Sequence, residues 1–135
     1  MSSEHDLIER TYRAYFTVFQ AGDPRAITPY YDIPSLFLSP AGSHALTNVR
    51  EAEQFFDRLL YGLRARGYAR SVISHLQIKS LAEDLALVNV RAERFKRDGE
   101  LLEQISALYT MRKAEGTWRI ASATMYDSDR VLDWV

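Results

Sequence analysis

One feature constrains this chain more than any other: the spacing of its apolar residues changes once, near Gly67. Before that point they recur at intervals of three and four. After it they alternate. The first pattern buries one stripe of a helix and the second buries one face of a strand. A helical first half followed by an extended second half predicts an α+β architecture, with helices laid on one face of a sheet.

The helical half divides into three pieces. Ser2 or Ser3 can cap a first helix, with Glu4 and Asp6 in its positive first turn. Ile8, Tyr12, Tyr15 and Phe19 form its stripe and Gly22 ends it. Asp23-Pro24 supplies an N-cap and a first helical residue, so a short second helix is expected from about Arg25 to Tyr31, ending before Pro34. Two short strands are expected at Leu36–Leu38 and Ala45–Leu46, around a Pro40-Ala41-Gly42-Ser43 turn. Asn48 and Glu51 form a variant capping box before Ala52, Phe55, Phe56, Leu59, Leu60 and Leu63, the stripe of a third helix.

Four long strands are then expected at about 69–82, 85–97, 101–114 and 117–126. The turns between them, Glu83-Asp84, Asp98-Gly99 and Glu115-Gly116, are short enough for hairpins, which makes the group an antiparallel meander. The last nine residues carry Leu132 and Trp134, and could dock on the sheet or on a partner, or simply fray.

Composition bounds the function. The chain has 135 residues, the size of one domain, and is read as a single domain over residues 1–135. Seventeen basic residues against 18 acidic ones leave a formal charge of -1, which lacks the basic excess of a nucleic-acid binder. With no cysteine there is no disulfide, thiol nucleophile or thiolate metal site. No apolar run approaches the roughly 20 residues of a membrane span. The polar, acidic N-terminus is unlike a secretory signal, so a cytoplasmic location is expected. No cofactor and no metal site are expected.

The element order resembles the NTF2-like (SnoaL-like) superfamily, and local motifs agree. Tyr15-Phe16, Phe19 and Gly22-Asp23 look like the end of that fold's first helix. Tyr30-Tyr31-Asp32 followed by Leu36-Phe37-Leu38-Ser39-Pro40 looks like its second helix and first strand, and Gly116-Thr117-Trp118-Arg119-Ile120 like the opening of its last strand. The resemblance implies a cone: three N-terminal helices on the concave face of a curved, mostly antiparallel sheet. It also implies a cavity at the open end, a default site for a small apolar ligand. The fold hosts isomerases, dehydratases, hydrolases and non-catalytic modules, so it does not choose among them.

Residue by residue, the enzymatic branches match incompletely. In the ketosteroid-isomerase pattern a carboxylate base precedes the proline of the first strand; here that position looks like Ser39, before Pro40. The oxyanion acid would fall near Leu108 or Tyr109, where no carboxylate stands. Arg91-Ala92-Glu93 resembles the arginine-acid pair of the epoxide-hydrolase branch, whose second carboxylate corresponds to Met125, with Asp127 two residues on. His44, His75, Asp32, Tyr30 and Tyr31 supply the residue types of the scytalone-dehydratase branch.

The candidate catalytic residues are therefore Glu93, Arg91 and Tyr109. The candidate ligand-binding set is Tyr12, Tyr15, Tyr30, Phe55, Asn89, Arg91, Glu93, Tyr109, Trp118 and Met125. Asn89, Arg91 and Glu93 share one face of their strand; Ala86, Val88, Val90 and Ala92 form the other. If the polar row faces the helices it forms a cluster in a low-dielectric cavity; if it faces outward it is a solvated ion pair. A row such as Ser71, Ile73, His75, Gln77 and Lys79 reads as outward. The main expectation is a small-molecule pocket. One alternative is a non-catalytic module that forms a homodimer through the sheet, using the Ala86–Ala92 row or the stripe of Ile105, Ala107, Tyr109 and Met111. The other is a cofactor-independent isomerase, dehydratase or hydrolase.

Overall fold

The computed structural model describes residues 3–130 and 132. Helix α1 spans Glu4–Ala21, and its cap is Ser3, whose side chain accepts from the Asp6 N–H. Helix α2, Pro24–Ile27, starts after the Asp23 cap and runs into a 3-10 turn at Thr28–Tyr30. Strands β1 (Tyr31–Ser39) and β2 (Gly42–Leu46) form a hairpin, followed by α3, Val49–Ala65. Asn48 caps α3 by accepting from the Glu51 N–H at 2.8 Å. Strands β3 (Tyr68–Ala82), β4 (Leu85–Lys96), β5 (Leu101–Ala114) and β6 (Thr117–Tyr126) follow.

The six strands form one sheet in the order β2-β1-β6-β5-β4-β3. Consecutive long strands pair antiparallel, whereas β1 pairs parallel with β6. Three helices on a curved, mixed sheet are the expected α+β cone.

Three local expectations differ from what is observed. The second helix stops at Ile27, and β1 begins at Tyr31 rather than Leu36. Its pairing with β6 is irregular between Tyr31 and Leu36, and Pro34 lies within that stretch. A residue without an N–H is tolerated at such an irregularity. Second, the β3 row does not keep a single face. A bulge between Ile73 and His75 shifts the alternation, so Ser71 and Ile73 turn toward the helices while His75, Gln77 and Lys79 stay outside. Third, both rows considered for an outer dimer contact face the helices: Ala86, Val88, Val90 and Ala92 are at most 1% exposed, as are Ala107 and Met111.

The core lies between those rows and the helices. Tyr12, Phe56, Ile27 and Leu60 are its largest fully buried side chains from the helical half. Each such apolar burial stabilises by about 1.5–3 kcal/mol. The helix ends are fixed by polar ties. Arg64 of α3 donates to the Gly22 carbonyl at 2.6 Å, and Gln20 of α1 accepts from the Ser71 N–H of β3 at 3.0 Å. These ties hold the C-terminal half of α1 in place over the sheet. Among the described residues no helix is long and apolar enough to cross a membrane.

Candidate functional site

A cavity of about 250 Å³ lies between the C-terminal half of α1, α3 and the inner face of the sheet. Its apolar wall comes from Phe16, Phe19, Phe37, Leu59, Ile105 and Met125. Its polar groups are Tyr15, Tyr109, Ser39, Ser71 and Arg94. Phe16 and Phe19 reach it because the helical stripe of α1 turns them toward the sheet. Ile105 and Tyr109 are two steps apart on the inner row of β5. Small residues on the inner rows, Ala92, Ala107 and Ala123, leave the space that larger side chains would fill.

Behind the cavity stands a cluster of tyrosines. The Tyr15 and Tyr31 hydroxyls are 2.8 Å apart. The Tyr109 ring lies 4.9 Å from that of Tyr12 and 6.0 Å from that of Tyr15. Burial pushes the hydroxyl pKa values of Tyr12, Tyr15 and Tyr31 well above the ordinary tyrosine value, and the nearby hydroxyls add to this for Tyr12 and Tyr15. Tyr109 is raised for the same first reason. All four therefore stay neutral near pH 7. In that state they can donate a hydrogen bond but cannot abstract a proton.

Arg94 supplies the one formal charge among the described residues that line the cavity. It is 9% exposed and continues the inner row of Ala86, Val88, Val90 and Ala92. Its Nη1 donates to Glu103 Oε2 at 2.8 Å, while Arg66 donates to Glu103 Oε1 at 2.9 Å. Burial acts to raise the Glu103 carboxyl, but hydrogen bonds from Arg66 and Arg94 and their charges outweigh it, so its pKa is lowered. The Arg94 Nε is buried and has no hydrogen-bond partner among the described residues.

The sequence candidates separate into groups. Tyr15, Tyr109 and Met125 line the cavity. Tyr12 packs behind them on Tyr109, Tyr30 packs on Tyr15, and Phe55 packs on Phe37. Trp118 lies elsewhere, donating from Nε1 to Glu4 near the start of α1. Asn89, Arg91 and Glu93 lie on the outer face of the sheet, opposite Tyr109, so no single cluster unites Arg91, Glu93 and Tyr109. The cause is strand alternation: Val88 pairs with Tyr109 on the inner face, which places Asn89, Arg91 and Glu93 outside.

Two of those outer residues hold the chain's last described segment. Asn89 donates to the Leu132 carbonyl at 2.7 Å and accepts from the Tyr126 hydroxyl at 2.6 Å. Arg91 donates to the Ser128 carbonyl at 2.6 Å. Leu132 thus meets the sheet; Trp134 lies outside the described residues. Beside this strap, His75, Arg91 and Glu93 border an outer depression. His44 lies at the rim of the inner face, its ring 5.3 Å from that of Phe55. Among the described residues no group of three histidine, aspartate or glutamate side chains is placed to hold a metal ion.

Ser39 and Met125, the positions matched to carboxylates in enzymatic branches, do line the cavity, but neither can serve as a base. Arg94 was not among the sequence candidates. Its signal was present: one more step along the small apolar row reaches a charge.

The element order, the parallel β1–β6 pairing and the cavity beneath the helices define an NTF2-like cone. The sequence matches the family described as NTF2-like protein (DUF6841) over residues 3–128, and the chain belongs to that family. No curated protein matches it. Solved structures agree on the fold. An NTF2-like protein with a cystatin-like fold from Novosphingobium aromaticivorans is 15% identical, with 90% of this chain and 80% of that one covered and a TM-score of 0.73. The yeast UBP3-associated protein BRE5 is 12% identical, with 93% and 96% covered and a TM-score of 0.74. A ketosteroid isomerase-like protein from Erwinia carotovora atroseptica is 18% identical, with 93% and 97% covered and a TM-score of 0.68.

Proposed function

We propose that this domain binds a small, largely apolar molecule in the cavity of the cone. One observation carries the reading: six apolar side chains and two neutral tyrosines surround about 250 Å³ of space. A cavity of about 150 Å³ with apolar walls accommodates benzene, so this one has room for a ring with a short substituent. Binding is favoured over acid–base catalysis because no carboxylate or imidazole stands among the described lining residues. Serine, buried tyrosine and arginine do not supply a general base near neutral pH.

Toluene titration tests the reading. Ligand at about 100 times its dissociation constant stabilises the folded state by about 2.7 kcal/mol. The wild-type protein should show a saturable rise in Tm, and Leu59→Trp, which fills the cavity from α3, should not. A wild-type Tm indifferent to toluene would count against the reading.

A second reading, a homodimer through the outer sheet face, draws on exposed apolar groups there. Val72, paired with the outward Glu93, is 44% exposed, and Leu101 is 46% exposed beside Phe95. Sedimentation at micromolar concentration should then show a dimer that Val72→Glu dissociates; a wild-type monomer would exclude it.

A further inference from the structure

We infer that the molecule taken up by this cavity is a monocarboxylic acid with a compact hydrophobic body, its carboxylate seated on Arg94. The inference rests on the cavity reading and adds the ligand's charge and the residue that reads it.

Arg94 is the starting point. A guanidinium buried this deeply is costly unless its charge and its N–H groups are matched. Among the described residues Glu103 meets Nη1 alone, and the Nε–H has no acceptor. Glu103 is also shared, because Arg66 binds its other oxygen. Arg66 is half exposed and solvated, so the trio's formal surplus of one positive charge is buried only where Arg94 shares its carboxylate partner. No acidic side chain stands among the described residues lining the cavity to cancel it. A carboxylate would satisfy both deficits, since it accepts from a guanidinium edge and carries one negative charge.

The surroundings fit that head group. Tyr109 stays protonated and can donate to an anion, while the Tyr15 hydroxyl is paired with that of Tyr31. Ser39 and Ser71 add two hydroxyls to the lining. A phosphate ester would bring nearly two negative charges against one net positive, so a monoanion is the better match. The remaining wall takes only an apolar body. The site therefore reads as an anion seat on one side of an aromatic and aliphatic pocket.

The probe pair is 3-phenylpropanoate and its uncharged amide, which share a shape. Each is titrated calorimetrically at pH 7 into wild type, Arg94→Met and Glu103→Gln. The wild type should bind the acid about tenfold or more tightly than the amide, the range of a charge-assisted hydrogen bond. Arg94→Met should erase that preference while still binding the amide. Glu103→Gln, which removes the competing anion, should widen it several-fold. Should Arg94→Met not fold, the wild-type ratio and its change in Glu103→Gln decide the matter. Acid and amide binding equally to wild type would overturn the assignment of Arg94, and would leave the cavity reading intact if toluene binds. Failure of acid, amide and toluene alike would remove both.

Discussion

The hydroxyl pair of Tyr15 and Tyr31 offers a sharp test of how the floor of the cavity is held. The two oxygens are 2.8 Å apart, and the residues are 4% and 2% exposed, so water cannot replace either partner. Tyr15→Phe removes one oxygen and leaves the Tyr31 hydroxyl buried without its partner. That orphaned group should cost about 1–3 kcal/mol. Tyr31→Phe is milder, because the Tyr15 hydroxyl keeps an interaction with Tyr109. The loss there should be about 0.5–1.5 kcal/mol, the net value of one hydrogen bond. The double variant replaces both partners by rings of the same shape, and no Tyr31 hydroxyl remains to be orphaned. Its cost should therefore not exceed that of Tyr15→Phe alone. Urea unfolding followed by circular dichroism measures all three, with unchanged m-values as the check that only stability has moved. Single-variant losses that simply add in the double variant would refute the reasoning, since independent groups add and coupled ones do not.

Further outcomes follow from the same geometry. Gly22 has φ +79°, so Gly22→Ala should cost roughly the 1–2 kcal/mol of the left-handed backbone, and the new Cβ would displace the flexible end of Arg64 from the Gly22 carbonyl; thermal unfolding of Gly22→Ala and Arg64→Ala, alone and together, should show losses that do not add, because each variant already breaks the same bond. The buried tyrosines have raised pKa values, so their contribution to stability is intact below the ordinary value of 10.0 and is lost as pH rises through the folded values; alkaline titration should show tyrosinate forming together with unfolding, and tyrosinate appearing in a still folded protein would contradict this. Glu103 is shifted the other way, so its contribution is present above 4.5 and fades as pH falls through its lowered value; the acid limb of a stability–pH profile should flatten in Glu103→Gln. Asn89→Ala strips partners from Tyr126 and the Leu132 carbonyl, and should speed amide exchange at Ser128–Arg130 without changing toluene affinity.

Much of the fold was legible because local signals agreed with one another. Asp23 and Asn48 cap the helices that their sequence contexts indicate, and of Ser2 and Ser3 it is Ser3 that caps the first. The three tight turns separate the long strands as expected, with ends shifted by at most a residue. The start of β1 was hidden because Tyr30 and Tyr31 continue an apolar helical pattern, and only pairing with β6 draws Tyr31 into the sheet. Faces were harder to read than elements. A strand alternates, but which row faces inward depends on what packs above it. The small row Ala86–Ala92 fits equally well against helices or against a second sheet, and the wrong choice reverses the roles of Arg91 and Arg94. The bulge at Ser74 defeated simple alternation in β3, since a single extra residue moves every later side chain to the other face. The salt-bridged trio of Arg66, Glu103 and Arg94 joins the end of α3, β5 and β4, and no spacing in the sequence announces it.

The occupancy of the cavity can be observed directly through its methionine. The chain has three methionines, of which Met125 lines the cavity, whereas Met111 is 1% exposed in the core and is not part of the lining. Protein labelled with carbon-13 at the methionine methyls should show the Met125 signal, assigned by Met125→Leu, moving saturably as toluene is added. Met111 should stay in place. A Met125 signal that ignores toluene at every concentration, or one that moves no more than Met111, would contradict a cavity open to an apolar guest.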